Sequence, residues 1–210
     1  MIEAALKAEA IRFPWFLGYK FCNSLFLGLS LGAVFTLYEP LSPATFSAGG
    51  VGLALATLVV ATQYRRLFTL RWFYGLSLAV ELIILLGIAG VLLLPLAQPL
   101  ALFVYLGYQI TFAFGGYLVR CETLVFVDRQ LLTQLDIAKQ AAYLLGMALS
   151  WLFYALLEES FQVIDKTDQV VAMHLPLLLV QIAVILALIV AFRGQVRPAR
   201  VSSITIASGD

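Results

Sequence analysis

Glu81 is the residue most able to do chemistry in this chain, because it interrupts the apolar run LRWFYGLSLAVELIILLGIAGVLLL. It follows Arg71 by ten residues. At about 1.5 Å per helical residue, its carboxyl therefore lies roughly 15 Å deep, near the middle of a bilayer. A charge there costs at least about 2.5–3.5 kcal/mol on insertion scales unless it is protonated, hydrated or paired. The chemistry implied is proton binding or cation pairing. The bland alternative is a protonated carboxyl that glues two helices together, with Tyr74 and Ser77 on its own face. The basic residues nearest in kind, Lys20 and Lys139, fall closer to the ends of their runs, where a long side chain snorkels to the headgroups.

Other polar groups recur at helical spacing inside apolar runs. Tyr19, Asn23, Phe26 and Ser30 share one face of the first run. Tyr105, Gln109, Phe112 and Gly116 share one face of the fourth, which also carries Thr111 and ends at Arg120. Hydroxyls and amides in hydrocarbon need partners or a water-filled path. Asn23, Ser30, Tyr105, Gln109 and Thr111 are accordingly candidates to line a pathway. Gly28 and Gly32 form a GxxxG on roughly the opposite side of the first run, where another helix can approach closely. Lys139, Tyr143, Gly146 and Ser150 share a face of the fifth run. His174 reads as structural, and Cys22 and Cys121 as small packing residues.

The elements that position these residues follow from composition. Of 210 residues, 62% are hydrophobic and 12% charged, which places the chain among helical integral membrane proteins. Six segments are long enough to span, at about 16–38, 47–64, 71–95, 99–120, 139–157 and 170–192. None alternates as a strand would, so the expected fold is an all-α, six-helix polytopic bundle in one domain, with a short tail at 193–210. With six crossings, Lys7, Arg12, Lys20, Arg65, Arg66, Arg71, Arg120, Arg129, Lys139, Arg193, Arg197 and Arg200 all fall on one side. Lys166 stands alone on the other, among Glu39, Glu158, Glu159, Asp165 and Asp168. The positive-inside rule then puts both termini in the cytoplasm, and the location expected is a bacterial inner (plasma) membrane. The sequence offers no metal-spaced cluster, phosphate loop or nucleophile–base set, so neither an enzyme, a metal nor a cofactor is expected. No basic cluster suggests nucleic acid.

The layout resembles one six-helix half of a major facilitator superfamily transporter. In that family the link between helices two and three reads like G-x-L-x-D-R-x-G-R-R. The matching stretch here, VATQYRRLFTLRW, keeps Arg65, Arg66 and Arg71 without the glycines and the Asp. The resemblance implies that these arginines pair with an acid at the end of helix four, for which Glu122 or Asp128 stands here. Arg120 belongs to the same cytoplasmic cluster. Such halves are parallel repeats about an axis along the membrane normal, so a second half, from another copy or another chain, is the implied partner. The function implied is a secondary transporter or half-transporter for a small solute, with helices one and four lining its path. The rival expectation is a non-transporting membrane subunit that assembles with a partner complex.

Overall fold

The computed structural model describes residues 11–196 and is all-helical among them. The long helices are α1 (Phe13–Tyr38), α2 (Pro43–Thr62), α4 (Leu70–Leu93), α5 (Gln98–Val125), α6 (Arg129–Glu159) and α7 (Lys166–Ala191). Two single turns, α3 (Tyr64–Leu67) and α8 (Arg193–Val196), follow α2 and α7. Six helices are thus long and apolar enough to cross a membrane. Lys7, Arg197, Arg200 and most of the expected tail lie outside the described residues.

The sixfold count matches the apolar runs, but the helices outrun them at polar ends. The fifth span was expected from 139; α6 starts ten residues earlier because Asp128 caps it, accepting from the Gln130 amide at 2.7 Å. The link expected over residues 121–138 shrinks to 126–128. The last span, expected from 170, starts at Lys166. Asp165 caps it through the amides of Thr167 (2.8 Å) and Asp168 (3.2 Å). A capped polar turn continues a helix as well as an apolar one, since the side chain satisfies amides that would otherwise be orphaned. Pro14, Pro43 and Pro99 sit in first turns, where the missing amide hydrogen costs nothing.

The centre of the bundle is α1. It packs most extensively on α6, then on α7, and α4 packs on both α5 and α7. The α1–α6 crossing is tight because two glycines meet there. A Cβ on Gly28 would lie 2.3 Å from the Tyr143 carbonyl oxygen, and one on Gly146 2.4 Å from the Leu25 carbonyl oxygen. The Gly28/Gly32 face is therefore a helix contact, as the spacing suggested. By contrast, α2 buries no residue and packs on α5. The Arg12 amide donates to the Ala191 carbonyl at 3.0 Å, so α1 begins beside the end of α7.

The neighbour pattern has an internal symmetry. When α1, α2 and α4 are exchanged for α5, α6 and α7 respectively, the α1–α6 pair becomes α5–α2 and α1–α7 becomes α5–α4. The α4–α7 and α1–α5 pairs map onto themselves. The two triplets are unequal in extent, since α1 is far more deeply packed than α5.

Candidate functional site

The polar interior is built on one turn of α1. Tyr19, Lys20 and Asn23 present their side chains inward there, and each reaches a carboxylate. Glu81, on α4, has no solvent exposure. Its Oε1 accepts from the Tyr19 hydroxyl at 2.9 Å and from Asn23 Nδ2 at 3.1 Å. Its Oε2 accepts from Gln181 Nε2, on α7, at 3.0 Å; the same nitrogen donates to the Glu81 backbone carbonyl at 2.9 Å. Three helices thus converge on one carboxyl. Two further acceptors are buried beside it without a partner, Ser77 Oγ and Gln181 Oε1.

The second carboxylate is Glu122, near the end of α5. Lys20 of α1 is paired with its Oε1, and Lys139 of α6 with its Oε2 at 2.7 Å. Lys139 also reaches Asp136 at 3.4 Å. Lys20 and Glu122 are buried and Lys139 is half-buried. The Lys20 ammonium lies 4.9 Å from the centre of the Tyr19 ring, whose hydroxyl donates to Glu81. The two carboxylates therefore belong to one network, joined by adjacent residues of α1. Glu81, Glu122, Lys20 and Lys139 sum to zero charge when all are ionised, and the exposed Asp136 beside Lys139 adds one negative charge. Each ion here has an opposite charge or directed donors, which burial demands.

The network is bounded by an aromatic layer at one end and by an apolar cavity at the other. Towards the chain ends lies an aromatic layer, with the Phe16 ring 5.0 Å from that of Phe126 and 5.9 Å from that of Phe73, and Phe73 5.5 Å from Phe192. Towards the other side lies an apolar cavity of about 290 Å³ between α1, α4, α5 and α7.

Several expectations need correction. Lys20 turns inward to Glu122 instead of snorkelling. Arg65, Arg66 and Arg71 do not meet Glu122 or Asp128. Among the described residues neither they nor Arg120 has a carboxylate within salt-bridge distance. The reason is packing: α2 and α3 lie on the outer flank of α5. There the Tyr117 hydroxyl donates to the Leu67 carbonyl at 2.8 Å and Arg120 rests 5.9 Å from the Tyr64 ring centre. Asp128 is a helix cap. His174, which reads as structural, lies two turns inside α7 and is buried.

The five pathway residues do not share one space. Asn23 belongs to the Glu81 network. Ser30 lines the apolar cavity and donates to the Leu27 carbonyl. Tyr105 and Gln109 line a separate groove of about 920 Å³ between α2 and α5, with the Tyr105 hydroxyl donating to the Phe46 carbonyl at 3.3 Å. Thr111 donates to the Tyr108 carbonyl. Gln181 belongs to the Glu81 network and is not among the residues singled out from the sequence. Its place in LLLVQIAVILALIV, an uncharged amide in an apolar run, was the available signal. No family model, curated protein or solved structure matches this chain.

Proposed function

We propose that this chain is one six-helix half of a secondary transporter for a small solute, and that Glu81 is its proton-exchanging carboxyl. The observation that carries the reading is the convergence of α1, α4 and α7 on a fully buried carboxyl whose neighbours can serve either protonation state. As a carboxylate, Glu81 accepts from Tyr19, Asn23 and Gln181. When protonated on Oε1, it donates to the Tyr19 oxygen, and the Tyr19 hydroxyl turns towards the unpartnered Ser77 Oγ. A hydroxyl can exchange donor and acceptor roles in this way, whereas the amide nitrogens of Asn23 and Gln181 only donate. Tyr19 is thus the switching member.

Protonation of Glu81 would shift the charge balance of the network by one positive unit, leaving Glu122 and the exposed Asp136 to face Lys20 and Lys139. That imbalance is what a coupled solute or ion would answer. The neighbour symmetry between the two helix triplets agrees with the nested inverted repeats of facilitator halves. The membrane site and the cytoplasmic placement of both termini belong to the same proposal, resting on the basic residues counted above.

The test uses proteoliposomes that hold a pH-reporting dye, an imposed pH gradient, and a panel of small organic acids, amines and sugars. At least one solute should accelerate proton movement in the natural protein and not in Glu81→Gln. Identical proton movement in the two proteins across the panel would overturn the role of Glu81. The exposed outer face of α2, a helix that buries no residue, favours a second reading, that of a subunit whose α2 seats against a partner. Stable co-purification with a larger complex, together with the identical proton movement just described, would favour it.

A further inference from the structure

The cavity between α1, α4, α5 and α7 is not used by the Glu81 network, and its walls are specific about what they would admit. Its volume of about 290 Å³ is near the low end of ligand cavities, which run from about 300 Å³ upward. Of the residues that line it, Ser30, Tyr108 and His174 alone have polar side chains, and no charged side chain takes part. His174 Nδ1 is 2.7 Å from the Val170 carbonyl oxygen. A carbonyl only accepts, so Nδ1 carries the proton and Nε2 of the neutral ring presents a lone pair. Nε2 makes no hydrogen bond among the described residues. Ser30 already donates to Leu27, which leaves its oxygen as an acceptor. Tyr108, which also lines the cavity, carries a hydroxyl that can donate or accept.

The rim of the cavity is apolar and open. Leu86 of α4 is 60% exposed and Phe103 of α5 is 52% exposed, and both line it. Between them Gly87 leaves space, since a Cβ there would meet no atom within 4 Å. In a spanning bundle that side faces hydrocarbon, so the way in is lateral, between α4 and α5.

We infer that this cavity binds an uncharged, lipid-soluble amphiphile with a hydroxyl head, taken up sideways from the bilayer. The head would donate to His174 Nε2 and accept from Tyr108, while the apolar body leaves between Leu86 and Phe103. A phosphate or carboxylate head is disfavoured because no cation lines the space, and an alkane would leave the polar wall unanswered.

The test compares three photoreactive probes in nanodiscs: a long-chain alcohol bearing a diazirine, the matching alkane and the matching fatty acid. Labelled peptides are read by mass spectrometry. The alcohol should label α5 and α7 peptides around Tyr108 and His174 about five-fold more than the alkane, the factor that about 1 kcal/mol from one net hydrogen bond gives. Gly87→Leu should close the mouth and remove the labelling. Tyr108→Phe, which keeps the ring and so the packing, should bring the alcohol towards the alkane level. Equal labelling by alcohol and alkane means that bulk lipid alone fills the space, and this overturns the inference. So does stronger labelling by the fatty acid, or unchanged alcohol labelling in Tyr108→Phe.

Discussion

At the scale of single residues, Glu81 and Glu122 divide the interior between directed hydrogen bonds and ion pairs. Replacing Glu81 by Leu would strand the Tyr19 and Asn23 donors and leave Gln181 only its bond to the backbone carbonyl of residue 81, each unsatisfied group costing about 1–3 kcal/mol. Glu81→Gln keeps an oxygen for two of them. Detergent unfolding curves should therefore rank Glu81→Leu well below Glu81→Gln in stability; equal stability would mean that water satisfies the donors. Glu122→Leu leaves Lys20 buried without its partner, and breaking such a pair costs roughly 3–5 kcal/mol. Adding Lys20→Met to it should recover stability, because the stranded charge is then gone. If the double variant is worse than the single one, the pair is not the source of the cost. Much of this chemistry was legible in sequence: a lone Glu in an apolar run, and Asn23 and Tyr19 a turn apart. The direction of Lys20 was not, because a lysine one or two turns inside a helix end reaches water or an internal acid equally well. Only the packing of α5 against α1 decides between them.

At the scale of elements, the caps and crossings carry the testable content. Gly28→Ala should destabilise the α1–α6 pair, since its Cβ would collide with backbone atoms of α6 that cannot yield. Gly75→Ala, which meets nothing within 4 Å, should be neutral or mildly stabilising. The comparison is read from thermal unfolding, and equal effects would contradict the tight crossing. Asp165 lies outside the spans and is fully exposed. The amides of Asp168 and Thr167 hold its carboxyl below the usual carboxylate range. A folded value below the unfolded one means that its stabilising effect is present above the unfolded value and is lost as pH falls through the folded one. Protection of the amides at the start of α7, taken relative to their intrinsic exchange rate at each pH, should fall on acidification in the natural protein and stay unchanged in Asp165→Ala. The early starts of α6 and α7 were hidden in the sequence because hydropathy marks where a helix meets lipid, not where its hydrogen bonds begin. The pairings of the spans were hidden too. The link arginines point to helix four only if α2 and α3 fold over that end, and here they lie on its flank.

At the scale of the whole molecule, a centre of α1, α4 and α7 is sealed by aromatic rings on one side and opens to an apolar cavity on the other. The structure so arranged holds its carboxyls in the interior, with α2 packed on α5 along one face and burying no residue. If α2 meets a second half, a cysteine pair on the exposed α2 face at Leu55 and Val59 should crosslink between chains in lipid. Crosslinking confined to monomers would argue against a two-half assembly. The central claim, that Glu81 exchanges a proton inside this network, is tested most directly by infrared difference spectroscopy. The protein in lipid is taken from about pH 5 to about pH 9, a span wide enough for a buried carboxyl to titrate, and compared with Glu81→Gln. The account predicts a carboxyl stretch that exchanges with a carboxylate band in the natural protein and is absent from the variant. Difference spectra that are the same in both proteins would contradict it.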